Sequence, residues 1–371
     1  MRTLVLAVSA RKLAEAARRV GARIVVADFF GDVDTRSLAP WHPLPGSLEG
    51  GIDGEPLLEW ARRLDEGPGG IVYGAGFERD PSLLDALAAI APLIGNRADV
   101  VAAVKDPFAF AALLGRLGLP HPDVATSPRP GGRWLRKRRG GSGGTHIEPA
   151  TTRSPSADAS HYFQTYAPGQ SISALFTANG RASRVLGFSV QWTAPTPARP
   201  FRFGGCAGPA PLAPALACEI ERACDAITAA TGLVGLNSLD TLVTGETYTI
   251  LEVNPRPGAT LDLFDDAAAP SLWRCHVDGV RGELPAARAT HETPPHAAMV
   301  VYADRARDIP TWFDWGAGVA DIPTPGSHIA AGMPICTVVA AGPDIESART
   351  ETEHRAHALL HRLPLHLRES A

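Results

Sequence analysis

The stretch Thr247-Tyr-Thr-Ile-Leu-Glu-Val-Asn-Pro-Arg-Pro-Gly-Ala-Thr260 decides the reading of this chain. It alternates like a strand up to Asn254 and stops at Pro255, which has no N–H to give a ladder. Strand side chains point to opposite faces in turn, so Glu252 and Asn254 share one face while Leu251 and Val253 turn into a core. A carboxylate and a carboxamide two residues apart offer hard oxygens to Mg²⁺, and the Arg256 guanidinium just beyond suits phosphate. The preceding Leu236-Asn-Ser-Leu-Asp-Thr-Leu-Val243 leads into Thr244-Gly-Glu246, a turn signal, so the two segments form a hairpin. Pairing about Gly245 puts Asp240 opposite Ile250, diagonal to Glu252 and on its face. Asp240, Glu252 and Asn254 then converge, and two carboxylates that close need a cation between them. The plain alternative is a polar strand face turned to solvent.

At 371 residues the chain exceeds one typical domain, so two or three packed subdomains are expected. It is 45% hydrophobic and 20% charged, ordinary for a globular protein with a sizeable core. A net charge of −4 gives no field that would gather nucleic acid or an acidic membrane, and neither is expected as a partner. The five cysteines, Cys206, Cys218, Cys224, Cys275 and Cys336, are odd in number and lack metal-ligand spacing, which fits reduced thiols in a cytoplasm. The opening apolar run is too short for a signal peptide, and no stretch reaches membrane-spanning length.

Working outward, residues 3–8, 12–20 and 23–27 read as strand, helix and strand, the start of a small parallel sheet. Helical stretches at 55–65 and 81–91 flank a strand at 70–73 and carry this α/β region to about residue 100. Its first turn, Ser9-Ala-Arg11, is no Gly-x-Gly-x-x-Gly fingerprint. Asp106 and Pro107 suit the cap and first turn of a helix over 108–118. Strands at 134–138, 162–166 and 171–177 follow, with 193–200 as a loop and a helix over 213–230. Residues 283–296 read as loop. Strands near 298–303 and 335–340 and a helix near 345–362 close the chain.

Gly140-Gly-Ser-Gly-Gly144 follows a strand ending near Lys137. Backbone this rich in glycine can take positive φ and present N–H groups to an anion, with the Ser142 hydroxyl beside them, or it is simply a flexible connector. It lacks the Gly-Lys-Ser/Thr ending of a P-loop. In Arg136-Lys-Arg-Arg139, Lys137 points opposite its neighbours, and a Lys on the inner face needs an anionic partner.

In order, Lys105, Lys137, the glycine loop, Gln164-Thr-Tyr-Ala-Pro-Gly169, Asp240 and Glu252-Val-Asn-Pro-Arg256 resemble the ATP-grasp superfamily over roughly residues 100–265. Ser9-Ala-Arg-Lys-Leu-Ala-Glu-Ala-Ala17 with Asp28-Phe-Phe-Gly-Asp-Val-Asp-Thr35 is similar to its predicted ATP-dependent carboligase branch, distantly related to biotin carboxylase. The resemblance implies an α/β (α+β) fold with a pre-ATP-grasp domain over 1–100, a small lobe with a lid over 101–168, and a large lobe with the C-terminal segment over 169–371. It implies phosphate contacts from Lys105 and Lys137, and a mobile lid at 140–144, with Ser142, Gly143 and Gly144 at ATP. Gln164, Thr165, Tyr166 and Ala167 would line the adenine pocket. Asp240, Glu252 and Asn254 would hold Mg²⁺, as two ions, and Arg256 would neutralise the transferred phosphoryl group. The chain departs from the family at Gln164, at Ser171 where a ribose Glu often stands, and at Ser238 where an Arg is common. Arg11, Arg202 and Phe203 are candidates for the acceptor pocket.

A carboxylate is a poor electrophile until phosphorylated, so the implied reaction is carboxylate–amine ligation through an acylphosphate, with ADP and phosphate released. Ala320-Asp-Ile-Pro-Thr-Pro-Gly326 is similar to carboligases of methanofuran- and tetrahydromethanopterin-type cofactor synthesis, which makes glutamate–tyramine ligation the specific expectation. A bicarbonate-using carboxylase and a silent ATP-binding regulatory subunit are the alternatives. Small-molecule acid and amine are the expected partners, with a homodimer common in the family.

Overall fold

The computed structural model describes residues 2–64, 67–264, 271–285 and 294–365. Near the N-terminus, apolar runs such as Leu4-Val-Leu6 form a five-stranded parallel sheet ordered Trp41–Pro43, Ile24–Asp28, Arg2–Leu6, Pro68–Tyr73 and Leu93–Ile94. A parallel sheet must be covered on both faces, and this one is. Leu4, Leu6 and Ile71 pack with Leu57, Leu84 and Leu87 of the helices Gly54–Arg62 and Ser82–Ala88. Val5, Val26 and Val72 turn the other way, onto the helix Arg11–Arg19 and into a core shared with Leu236, Phe264 and Trp273. The parallel sheet is thus anchored to the body by its second face, which fixes its C-terminal loops over the site.

The body is an eight-stranded antiparallel sheet ordered Thr247–Asn254, Val234–Thr244, Gln170–Asn179, Ser183–Thr193, Phe203–Gly208, His296–Tyr302, Pro334–Ala341 and Val319–Ala320. The helix Pro214–Thr231 covers one face through Leu216, Ile220 and Ile227, as the helical spacing predicts. The helix Ile345–Arg362 packs on the C-terminal strands. A separate four-stranded antiparallel sheet, Ile147–Ala150, Trp134–Arg138, His161–Thr165 and Val124–Ala125, forms a small lobe around Trp134 and Phe163.

The strands Ser183–Thr193 and Phe203–Gly208 are not legible as strands, because glycines interrupt them where large rings press on the backbone. A Cβ on Gly187 would meet the Phe264 ring at 2.4 Å, and one on Gly205 the Trp192 ring at 2.5 Å. The expected boundary at residue 100 falls inside the helix Ala98–Lys105, whose Ala98 and Val101 enter one core and Val104 the next. Lys105 therefore ends one helix as well as preceding the helix Pro107–Arg116, where Asp106 accepts from the N–H groups of Phe108 and Ala109. Of the loop read at 283–296, residues 286–293 lie outside the described residues.

Candidate active site

The hairpin register differs from the expected one. Asp240 lies directly opposite Glu252 and Ser238 opposite Asn254, while Thr241 pairs with Ile250. Leu251 is the extra residue of a bulge, which breaks the alternation. Ile250 and Val253 both enter the core, and Leu251 instead lines a slot together with Glu252. The bulge brings the two carboxylates into register rather than leaving them diagonal.

Polar contacts tie this face together. Asp240 accepts from Ser173 Oγ at 2.6 Å and from Asn254 Nδ2 at 2.9 Å. Lys105 Nζ donates to Glu252 Oε2 at 2.7 Å, to Asn254 Oδ1 at 3.2 Å and to the Val253 carbonyl at 3.3 Å. Burial, and then the nearby Glu252, raise the Asp240 carboxyl above the usual range. Burial also pushes on Glu252, but Lys105 and Lys137 overcome it and hold that carboxyl low.

Arg256 donates from Nε to Glu78 Oε1 at 2.7 Å, and both side chains are buried. Glu78 sits in the loop after the strand Pro68–Tyr73 and also accepts from Gly76 N–H at 2.8 Å. Burial raises Glu78, and Arg256 and Lys105 more than reverse that, leaving its carboxyl below the usual range. The adjoining backbone is buttressed from the same domain, where Asn96 Nδ2 donates to the Pro255 carbonyl at 2.9 Å and Tyr73 OH to the Asn96 carbonyl at 2.7 Å.

Lys137 is 8% exposed and has no hydrogen-bond or ion-pair partner among the described residues. It lies opposite Tyr162 in the small-lobe sheet, on the face from which Tyr162 and Gln164 reach the slot. Burial lowers its pKa, and Glu252 pulls the other way. The ammonium feels the Glu252 and Asp240 carboxylates from a distance but has no anion among the described residues in direct contact. Of the remaining basic run, Arg136 is spent on Glu148 at 2.8 Å and Arg139 on Asp106 at 2.6 Å, while Arg138 lines both the slot and a larger neighbouring cavity.

The glycine loop is packed down between the lobes. Gly140 has φ +63°, and a Cβ there would sit 2.6 Å from the Glu78 carbonyl oxygen; one on Gly144 would collide with the Phe201 carbonyl. Ser142 and Gly143 line a larger cavity of about 730 Å³, whereas Gly140 and Gly141 line the slot. His146, which composition did not single out, lines both spaces. Its buried Nδ1 has no hydrogen-bond partner, and burial lowers its pKa to about 4, so the ring is neutral near pH 7.

Other expected residues stand elsewhere. Gln164 lines the slot with Val104, Phe110, Leu114 and Leu251. Thr165 and Tyr166 already donate their N–H groups to the Asp123 and Arg133 carbonyls, and the Tyr166 ring lies 4.0 Å beneath the Arg133 guanidinium. Neither of these, nor Ala167, lines the slot, because the strand ends at Thr165 and the chain turns away. Arg11 is spent on carboxylates, at 2.8 Å to Asp262, 2.9 Å to Asp321 and 3.1 Å to Glu15, and lines neither space. Arg202 donates to the Ala194 and Gly332 carbonyls and stacks 3.7 Å over Tyr302, holding the cavity wall from behind. Phe203 packs against the shared core.

The donor set suits a hard divalent cation. Glu252, Asn254 and the Val253 carbonyl already converge on a cation, the Lys105 ammonium, and Asp240 stands raised beside them. Among the described residues no group of three or more His, Cys, Asp or Glu gathers for a metal. Two acids and an amide are instead the partial set that Mg²⁺ takes when phosphate oxygens and water complete its shell.

Fold and site together set a buried ammonium without a direct partner among the described residues beside two facing carboxylates on an α/β scaffold. Residues 104–260 match the family described as the ATP-grasp domain. No curated protein matches the chain in sequence. Among solved structures, Rhizobium etli pyruvate carboxylase aligns with a TM-score of 0.75 and 15% identity over 98% of this chain, which spans only 37% of that protein. The biotin carboxylase domain of Hydrogenobacter thermophilus 2-oxoglutarate carboxylase, a dimer with MgADP, ADP and bicarbonate, aligns at 0.73 and 13% over 97% of this chain and 90% of that one. N5-carboxyaminoimidazole ribonucleotide synthetase from Thermus thermophilus aligns at 0.69 and 17% over 98% and 99%. At these identities the likeness is one of fold.

Proposed function

We propose that this protein is an ATP- and Mg²⁺-dependent ligase that activates a carboxylate as an acylphosphate and passes the acyl group to an amine. The observation that carries the reading is Lys137, a buried ammonium with no direct hydrogen-bond or ion-pair partner among the described residues, on the face that looks into the slot. A triphosphate supplies that partner, with Lys105 released from Glu252 to share it. Asp240, Glu252 and Asn254 would hold Mg²⁺, which neutralises phosphate charge when bound. The apolar slot walls and the Gln164 carboxamide suit a flat base. As it stands the slot encloses only about 40 Å³, so the base enters with the small lobe swung outward.

A substrate carboxylate oxygen attacks the γ-phosphorus and ADP leaves; Arg256, held by Glu78, faces the charge on the transferred group. The amine nitrogen then attacks the acyl carbon, phosphate leaves, and the amine gives up its proton. The departing phosphate or solvent takes that proton, while His146 stays neutral in the wall of both spaces. Glutamate–tyramine-type ligation in one-carbon cofactor synthesis is the specific form of the proposal. Cytoplasmic placement and a homodimer belong to it as well. Among the described residues no helix is long and apolar enough to cross a membrane.

The test is ADP release with each substrate withheld in turn. Release that needs both acid and amine supports the ligase. Release driven by bicarbonate without an amine would turn the assignment to a carboxylase, the second reading, which the named carboxylase neighbours favour. ATP binding with no turnover under any condition would leave a regulatory subunit.

A further inference from the structure

The larger cavity has an acidic end that the proposed reaction does not use. It lies where the loops after the first two parallel strands meet, at the carboxyl edge of the sheet, the edge at which open α/β sheets bind ligands. Val8, Ser9, Phe30 and Asp32 line it there, and Asp321 closes it from the C-terminal segment.

Four aspartates crowd this end, and three are satisfied. Asp28 accepts from Ala10 N–H, Gly31 N–H and Trp41 Nε1. Asp34 accepts from the N–H groups of Asp321 and Ile322. Asp321 takes Arg11, Ser9 and Thr337. Asp32 is only 4% exposed, lines the cavity, and has no hydrogen-bond or ion-pair partner among the described residues. The neighbouring cation, Arg11, is already divided among Asp262, Asp321 and Glu15. Buried carboxylates are ordinarily paired, so an unpaired one aimed into a cavity is built for a cation that arrives from outside.

We propose that Asp32 is the recognition residue for a positively charged nitrogen on the acceptor substrate, a protonated amine or amidine whose apolar body lies along Phe30, Val300 and Ile335. This deepens the ligase reading and rests on it for the word acceptor. The walls support the class of ligand, since Phe30, Val300, Met333 and Ile335 give the same cavity an apolar lining. Burial, and then Asp321, Asp28 and Asp34, push the Asp32 carboxyl up to about 8, so the empty site holds it largely as the neutral acid near pH 7 and a bound cation favours its ionised form, the proton passing to solvent. Asp32 binds and orients; the phosphoryl and acyl transfers belong to the site described above.

The experiment is equilibrium binding to the full chain, without ATP, of paired probes: phenethylamine against 2-phenylethanol, butylamine against butanol, and agmatine and putrescine alongside. At least one cationic probe should bind wild type roughly tenfold or more tightly than its neutral partner, and Asp32→Asn should erase that preference. Asp32→Asn keeps the shape and replaces a carboxyl that the empty site already disfavours ionising, so its melting temperature in the absence of ligand should not fall. Asp32→Glu, which keeps the charge, should retain a cation preference and guards against an uninformative Asn variant. Equal binding of every pair by wild type, or a preference that survives in Asp32→Asn, overturns the proposal. So does protection by Mg²⁺, Ca²⁺ or K⁺ alone that depends on Asp32, since the site would then be one for an inorganic ion. Because ATP is absent, these outcomes are independent of the ADP-release test: the ligase reading can fail while the amine site stands, and the reverse.

Discussion

Glu78 Oε1 lies 2.7 Å from Arg256 Nε, in a buried pair that joins the loop of the parallel sheet to the end of the metal hairpin. Two elements 178 residues apart thus meet at the group proposed to face the transferred phosphate. The pair does two jobs, orienting the guanidinium and neutralising it while no anion is bound. Losing one partner of such a pair leaves a buried charge, which costs about 3–5 kcal/mol. Glu78→Gln should therefore lower stability by roughly that amount in chemical denaturation and reduce ADP release further at temperatures where the variant is folded. A variant with wild-type stability and turnover would show that Arg256 needs no counter-ion.

Asp240 presents the opposite balance. Its carboxyl is raised by burial and by Glu252, so the ionised form is held against the preference of the site. Asp240→Asn keeps the shape and removes the repulsion, and the Ser173 hydroxyl can rotate to accept from the new amide. Stability without metal should stay within about 1 kcal/mol of wild type or rise, while turnover falls roughly 100-fold or more. Thermal melts with and without Mg²⁺ and ATP check this. A variant that still gains the full metal-dependent shift would remove Asp240 from the site.

These two aspects were unequally legible in the sequence. The polar face of Glu252, Asn254 and Asp240 follows from alternation and a turn, yet the register does not, because the bulge at Leu251 depends on the packing of Ile250 and Val253. Lys137 was readable as an inward Lys on a strand, and the structure adds that it has no partner among the described residues. Glu78 and His146 carried no local signal, and Asp32 stood only as one residue of the Asp28–Thr35 stretch, with no role of its own. Each becomes notable only through what lies across from it: Arg256 for Glu78, two cavities for His146, and the absence of any donor among the described residues for Asp32. Arg11 misled in the other direction, since a lone Arg after a strand looks available until Asp262 and Asp321 arrive from distant sequence. Tyr166 failed for a local reason, the strand ending one residue earlier than expected.

Lys137→Met should separate folding from binding. Removing a buried, unpaired ammonium relieves desolvation, so the variant should be as stable as wild type or more so when no nucleotide is present. The stabilisation by ATP should shrink, from about 2.7 kcal/mol at 100-fold excess over Kd in wild type to about 1.4 kcal/mol at the same ATP concentration. The KM for ATP should rise roughly tenfold, in line with the loss of one charge-assisted contact. Nucleotide titration followed by thermal shift measures both quantities. An undiminished ATP shift would place Lys137 outside the triphosphate site and take away the main support for the ligase.

His276 gives a pH dependence whose sign is fixed by its contacts. Nδ1 accepts from Leu236 N–H at 2.9 Å, which makes Nε2 the protonated nitrogen, and it donates to the Ile94 carbonyl at 2.9 Å. A second proton would have to displace the Leu236 N–H, and burial accordingly lowers the pKa to about 4, partly offset by the Ile94 carbonyl. The unfolded chain takes up a proton near pH 6.5 and the folded chain only near 4. Above pH 6.5 both states carry a neutral ring and this group leaves stability unchanged. Between 6.5 and 4 the unfolded state binds more protons, so stability falls as pH falls, by an amount on the order of 3 kcal/mol from His276 alone. His146, also lowered to about 4 by burial, adds to the slope in the same window. His276→Gln can reproduce both contacts, accepting from Leu236 and donating to Ile94, without a site to protonate. Denaturant titrations at pH 7 and pH 4.5 should therefore show a smaller loss for the variant than for wild type. Equal losses would mean that His276 is not held neutral by the fold.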